Sequence, residues 1–306
     1  MILVTGATGF IGSEILRRAS RRGWRVRGLA RHPDRAEELG RLPHVELFRG
    51  DIGRPDELDE ALEGVDAILH LVGIIVETSR QSFEQVHVEG TRNVLDAARR
   101  ARVTRYVHMS ALGVEQGRNA SEYYRTKWRA EEMVRESGLA STIIRPSLVF
   151  GRDDDFFNRY ARIVRWSPVV PLPAGGRTRF QPVWLGDVAE CFLQATRMER
   201  GVEPVYEVAG PEVMTLREIV STLMGVMGRQ RPTVPVPLAP LRLGAVVMEA
   251  ILPRPPITRD QLSMLAIDNI ASRAGLRALR RDFEIEHAKL ADKAPAYLAP
   301  DRRAEG

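Results

Sequence analysis

Along its first half the chain alternates short apolar runs with stretches whose apolar residues recur every three or four positions. Ile2–Val4, Trp24–Leu29, Val45–Phe48, Ala67–Val72, Tyr106–Met109 and Thr142–Ile144 read as strands. Between them Gly12–Arg22, Asp34–Leu39, Glu57–Leu62, Phe83–Ala101 and Glu122–Glu136 read as helices. Such alternation is what βαβ units produce. The strands are rich in Val, Ile and Leu without a clean polar face, as in a parallel sheet covered on both sides. Six strands in this order predict an α/β fold: a doubly wound parallel sheet of the Rossmann type.

Past Arg145-Pro146 the rhythm breaks. Pro168, Pro171 and Pro173 punctuate a loop that ends in Gly175-Gly176. Phe180–Trp184 and Val205–Val208 read as strands, and Asp187–Thr196 as a helix with Asp187 at its N-cap. The four prolines of 231–240 argue against regular structure there. Leu241–Leu252 reads as an apolar helix, closed by Pro253, Pro255 and Pro256 and assigned to the core of a second lobe. A contact with a membrane surface or a complex through 241–252 is the alternative. The expected division is a nucleotide-binding domain over 1–209, a smaller C-terminal lobe over 210–298 and a charged tail over 299–306. Residues 151–177 are expected to contribute to a substrate cleft.

With 44% hydrophobic and 28% charged residues in 306, the chain is long and apolar enough to bury a full core. The lone cysteine, Cys191, excludes intramolecular disulfides and reads as core. Asp153-Asp154-Asp155 reads as a solvated loop, because consecutive acids diverge on any regular element; no metal site is expected. No apolar run reaches the roughly 20 residues of a membrane span, and the N-terminus reads as a strand instead of a signal peptide. A cytoplasmic address is the expectation. The net charge is +5, and all but three of the 45 basic residues are arginine. They are spread throughout, without zinc spacing or an aromatic-studded basic strand, so nucleic acid is not an expected partner.

The chemistry begins at Thr5-Gly6-Ala7-Thr8-Gly9-Phe10-Ile11-Gly12, between the first strand and the first helix. A pyrophosphate needs backbone N–H groups at close range and the positive end of a helix, and glycines at 6, 9 and 12 allow both. The second strand ends Leu29-Ala30-Arg31. No acid stands there to take a ribose 2′-hydroxyl, whereas Arg31, with Arg35 behind it, suits a 2′-phosphate. NADP(H) is favoured over NAD(H) on this ground.

Tyr123 and Lys127 form a Tyr-x-x-x-Lys pair that shares one helix face. A nearby ammonium favours tyrosinate, and a tyrosine tuned in this way exchanges protons with a carbonyl or alcohol oxygen. Ser110, at the end of the fifth strand, is placed to orient that oxygen, and Lys127 is expected to hold the cofactor ribose as well as tune the tyrosine.

Thr5–Gly12, Ser110, Tyr123 and Lys127 together resemble the short-chain dehydrogenase/reductase superfamily. Gly50-Asp51-Ile52, Arg145–Gly151, Gln181-Pro182-Val183 with Asp187-Val188-Ala189, and Thr258–Leu262 narrow the likeness. They resemble the atypical group containing the NADPH-binding accessory subunit of respiratory complex I and its bacterial relatives. The resemblance covers the chain to about residue 285.

It implies that Asp51 takes the adenine amino group with Ile52 against the ring. It further implies that Leu71, Val72 and Gly73 line the cofactor and that Pro146 sits by the nicotinamide. Read alone, Asp51 is equally a turn acid. His87 stands where extended members carry Asn, so it is a candidate for the ribose or a satisfied helix histidine. Ala111-Leu112 after Ser110 removes the acid of sugar dehydratases.

The expected function is hydride transfer between NADP(H) and an unidentified carbonyl, quinone or flavin acceptor. The alternative is a non-catalytic nucleotide-binding assembly protein. A sugar-nucleotide epimerase ranks third.

Overall fold

The computed structural model describes residues 1–198, 205–252, 255 and 257–298. The expected tail over 299–306 and two of the helix-closing prolines, Pro253 and Pro256, lie outside the described residues. The chain divides into two compact units that interleave in sequence. Unit one comprises Met1–Pro146, Val188–Val208 and Ser272–Ile285; unit two comprises Ser147–Asp187, Ala209–Ala271 and Glu286–Gly306.

Unit one carries the expected parallel sheet. Its strands are β1 (Ile2–Thr5), β2 (Val26–Ala30), β3 (Val45–Arg49), β4 (Ala67–His70), β5 (Arg105–Met109) and β6 (Ser141–Pro146). A seventh strand, Val205–Val208, pairs with β6, and the spatial order runs from it through β6, β5, β4, β1 and β2 to β3. Leu3, Val4, Ile68, Leu69 and Val107 are sealed on both faces. Each such side chain contributes about 1.5–3 kcal/mol on burial.

The register aligns the strand ends. Thr5 stands beside Leu29 and His70, His70 beside His108, and Met109 beside Ile144. β1 lies where the strand order reverses, and such reversals open a crevice at the carboxyl ends of the strands. The helix read over Glu122–Glu136 forms with those bounds, capped by the Ser121 hydroxyl, which accepts the Tyr124 N–H. The helix read over 83–101 opens instead as a π turn, Glu84–Glu89, and continues as an α-helix over Gly90–Arg100.

Unit two departs further from the sequence reading. Val170–Pro173 and Thr233–Val236 pair as parallel strands despite their prolines. A two-stranded ladder uses only one edge of each strand, so a missing N–H on the outer edge costs nothing. The segment 180–184 breaks into Arg179–Phe180, paired with Met214–Thr215, and Val183–Trp184, paired with Val149–Phe150. Asp187 is not an N-cap. Its helix starts at Leu185, and its carboxylate accepts the Ala288 N–H at 3.0 Å.

Asp154 is no solvated loop acid. It is buried as the N-cap of helix Asp155–Trp166, accepting N–H bonds from Phe157 and Asn158. The apolar helix extends over Leu238–Ile251 and is not core. Ala245 is buried, while Leu243, Val246, Val247 and Ile251 are exposed, so the stripe lies open along one face. Composition alone marks a face as apolar; only the fold decides whether anything covers it. Among the described residues no helix is long and apolar enough to cross a membrane.

Candidate dinucleotide and catalytic site

The glycine turn is built by close backbone approach. Gly6 has φ +71°, and its missing Cβ would stand 3.2 Å from the Val72 nitrogen. Gly12 is more constrained: a Cβ there would lie 2.2 Å from the Gly6 carbonyl oxygen. The Gly9 N–H donates to that oxygen at 3.0 Å, which closes the turn. Helix Phe10–Arg21 then starts with no side-chain cap and no acid in its first turn. Its first N–H groups are thus left for an external anion, as a dinucleotide pyrophosphate requires. Thr8 and Gly9 are exposed, with Phe10 and Ile11 half-buried beside them. Arg31 and Arg35 are both exposed after β2.

On the adenine side, the Asp51 carboxylate accepts the Gly53 N–H at 2.9 Å, so it closes its own turn. Ile52 is buried against Gly90, where a Cβ would meet the Ile52 side chain at 2.4 Å. The Asn93 amide donates to the Ile52 carbonyl at 2.8 Å and holds the turn to helix Gly90–Arg100.

The other half of the site gathers at the ends of β4 and β5. Tyr123 and Lys127 both face inward from their helix. The Lys127 ammonium, 2% exposed, donates to the Met109 carbonyl at 3.0 Å. This bond seats the Tyr–Lys face against the residue before Ser110. The Ser110 N–H donates to the Ile144 carbonyl at 2.8 Å, while its hydroxyl is buried with no protein partner. Gly73 completes the wall: a Cβ there would stand 2.9 Å from the lysine nitrogen. Leu71 is buried, Val72 half-buried, and the Pro146 carbonyl accepts the Leu112 N–H at 2.9 Å.

Three rings pack around Tyr123: Phe83 at 5.9 Å, His87 at 5.5 Å and Tyr124 at 5.3 Å between centroids, all edge-on. The π turn delivers His87. The Ile74 N–H donates to Nε2 at 3.1 Å, so in the neutral ring the proton sits on Nδ1 and is donated to the Thr126 hydroxyl at 2.9 Å. Thr126 in turn donates to the carbonyls of Glu122 and Tyr123. His87, a candidate for ribose contact, thus turns both nitrogens to protein. It ties the loop after β4 to the tyrosine helix.

Burial, and secondarily the Lys127 ammonium, hold His87 neutral with a pKa lowered to about 2 and His70 with one lowered to about 3. His108 is lowered well below its ordinary value for the same leading reason. Lys127 is itself lowered to about 8 by burial, against a partial pull upward from Glu131 one turn along the same face. Glu131 is fully buried and bound in bidentate fashion by Arg145 at 2.8 and 2.7 Å. A faint signal for this support lies in the spacing, since Tyr123, Lys127 and Glu131 recur every four residues. Nothing local pointed to Met109 or to the Thr5–His70–Thr91 chain, where His70 bonds Thr5 at 2.8 Å and Thr91 at 3.1 Å.

These residues suit a dinucleotide: an uncapped helix start, glycines whose side chains would fill the cradle, an inward ammonium and a buried unpartnered hydroxyl. Comparison with known proteins agrees. A family described as NAD(P)H-binding matches residues 6–162. The chain is 29% identical to the mitochondrial "NADH dehydrogenase [ubiquinone] 1 alpha subcomplex subunit 9" of Arabidopsis thaliana, over 98% of this chain and 77% of that protein. It is 30% identical to the "Sterol demethylase protein B" of Methylococcus capsulatus, over 77% of each chain. To the "Ceramide reductase" of Caulobacter vibrioides it is 31% identical, over 56% of this chain and 53% of that one.

Among solved structures, an NADPH-dependent quinone oxidoreductase of Escherichia coli superimposes with a TM-score of 0.75 at 20% identity, covering 97% of this chain and 99% of that one. A UDP-glucose 4-epimerase of Thermus thermophilus gives 0.72 at 21%, covering 100% and 99%. At these identities the structural likeness speaks for the fold alone.

Proposed function

The chain belongs to the NAD(P)H-binding family, and from that premise we propose that it is an oxidoreductase moving hydride between NADP(H) and a carbonyl, quinone or flavin acceptor. One observation carries the reading. The Lys127 ammonium is bonded to the Met109 carbonyl, which draws the Tyr123–Lys127 face to the buried, unpartnered hydroxyl of Ser110. A structural helix gains nothing from burying an ammonium without a carboxylate in contact.

The bound nicotinamide supplies or accepts the hydride. For reduction of a carbonyl, the Ser110 hydroxyl donates a hydrogen bond to the substrate oxygen and orients it. Tyr123 gives that oxygen its proton, so hydride and proton together make the alcohol. Lys127 holds positive charge beside the phenol and favours the tyrosinate left behind. His87, neutral and doubly bonded, fixes the loop of Leu71, Val72 and Gly73 against the tyrosine helix. Arg31, with Arg35, takes the 2′-phosphate and selects NADP(H). Asp51 keeps one carboxylate oxygen for the adenine amino group, beside Ile52.

The names of relatives favour an apolar acceptor, since those proteins are called a ceramide reductase and a sterol demethylase. The open stripe Leu243, Val246, Val247 and Ile251 is given the role of a partner contact, in keeping with relatives named as subunits of a larger dehydrogenase.

The second reading is a non-catalytic assembly protein stabilised by bound nucleotide, favoured by the same subunit names. Calorimetry with NADPH and NADH on protein stripped of nucleotide, followed by single-turnover absorbance with a panel of carbonyls, quinones and flavins, separates the two. Tight NADPH binding with oxidation by a panel member is expected. Tight binding with no oxidation by any of them would favour the assembly reading.

A further inference from the structure

At the amino ends of β5 and β6 in unit one lies a cavity of about 520 Å³ whose described lining includes Arg102, Arg105 and Arg197 and no acidic residue. It sits at the start of β5, about 13 Å along that strand from the Met109 carbonyl, at roughly 3.3 Å per residue. Arg105 is only 7% exposed. Its guanidinium donates to the Ala195 carbonyl at 2.9 Å, to the Ala140 carbonyl at 3.5 Å and to the Thr142 hydroxyl. All three acceptors are neutral, and three of its five N–H groups are thereby used. A buried charge normally comes with a counter-charge. Here no carboxylate pairs with it among the described residues, and burial drives the Arg105 pKa down against a partial upward pull from Tyr206. Arg197 lies at 4.0 Å over the Trp24 ring, which holds its head in place. Arg102 has φ +54° and is exposed at the rim.

Capping is the competing explanation for these arginines. Helices Gly90–Arg100, Glu122–Glu136 and Leu185–Ala195 all end within two residues of the lining. Each helix end supplies about half a negative charge, so three supply about −1.5 against three guanidiniums at +3. Among the described residues, capping therefore leaves about half of the positive charge unanswered. Val103, Leu139 and Met198 complete the wall with apolar surface, which lowers the local dielectric and strengthens the pull on an anion.

We propose that this cavity is a second anion site, taking a small molecule with a phosphate or carboxylate group at the amino ends of the strands, opposite the dinucleotide turn. The inference is independent of the hydride-transfer reading, since the cavity shares no residue with the site described above.

The test titrates inorganic phosphate, and separately acetate, into the full chain by calorimetry at constant ionic strength, with and without NADPH. The comparison protein carries Arg102→Asn and Arg197→Gln. Both positions are exposed, and Asn is among the residues that best tolerate the left-handed backbone at 102. Saturable binding of either anion to the wild type, weakened about tenfold or more in the double variant, is the expected result. Phosphate bound and acetate not would identify a phosphate site; the reverse, a carboxylate site. The wild-type-minus-variant difference localises the binding whether or not nucleotide occupies the glycine turn. No saturable binding of either anion, or binding unchanged in the double variant, would overturn the proposal.

Discussion

Lys127→Met is expected to make the nucleotide-free protein more stable at neutral pH while destroying its chemistry. Burial lowers the Lys127 pKa from 10.5 to about 8. Below pH 8 both folded and unfolded chains bind the proton, and the full cost of burying the ammonium stands. The gap corresponds to about 3 kcal/mol at roughly 1.4 kcal/mol per tenfold. Between 8 and 10.5 the unfolded chain holds the proton and the folded chain releases it, so stability rises with pH and the cost fades. Methionine matches the length and shape of the side chain without the charge. It forfeits the hydrogen bond to the Met109 carbonyl, worth about 1 kcal/mol. The variant should therefore be about 2 kcal/mol more stable at pH 7 and about equal to wild type at pH 10. Urea titrations of both proteins at the two pH values measure this, and the other titrating groups cancel in the difference. A variant less stable at pH 7, or a difference that does not change with pH, would refute the claim that the ammonium is held at a cost for function.

Tyr123→Phe should lower single-turnover hydride transfer by about a hundredfold or more while changing NADPH affinity by no more than about twofold. Full activity in that variant would remove the assigned proton donor. Arg31→Ala should weaken NADPH by about tenfold or more, the value of a charge-assisted phosphate bond, and leave NADH nearly unchanged; calorimetry giving equal losses would sink the 2′-phosphate assignment. Gly12→Ala forces a Cβ to within 2.2 Å of the Gly6 carbonyl oxygen. The turn must open, with about 1–3 kcal/mol lost in urea and nucleotide binding abolished; a variant that binds NADPH normally would disprove the cradle geometry.

Much of unit one was legible because its signals are local. Strand and helix periods, the glycine spacing at 6, 9 and 12 and the shared face of Tyr123 and Lys127 all act within a turn or two of chain. A backbone dihedral or an i, i+4 contact needs no distant partner, so the residues themselves determine it. What depends on partners far along the chain came only from the folded arrangement. Lys127 meets the Met109 carbonyl 18 residues away, and a Cβ at Gly73 would stand 2.9 Å from that ammonium. His87 read equally as a ribose ligand or a satisfied histidine; the Ile74 N–H and the Thr126 hydroxyl settle its tautomer by claiming both nitrogens.

The same physics explains the corrections in unit two. Prolines at 171, 173 and 235 argue against strands only where both edges of a strand must pair, and these pair on one. The stripe of helix Leu238–Ile251 has the composition of a core helix, yet its Leu243, Val246, Val247 and Ile251 stand exposed. Sequence fixes which groups a segment offers. Tertiary structure alone decides which of them are desolvated, and so which stay charged, which are satisfied and which remain available to a ligand.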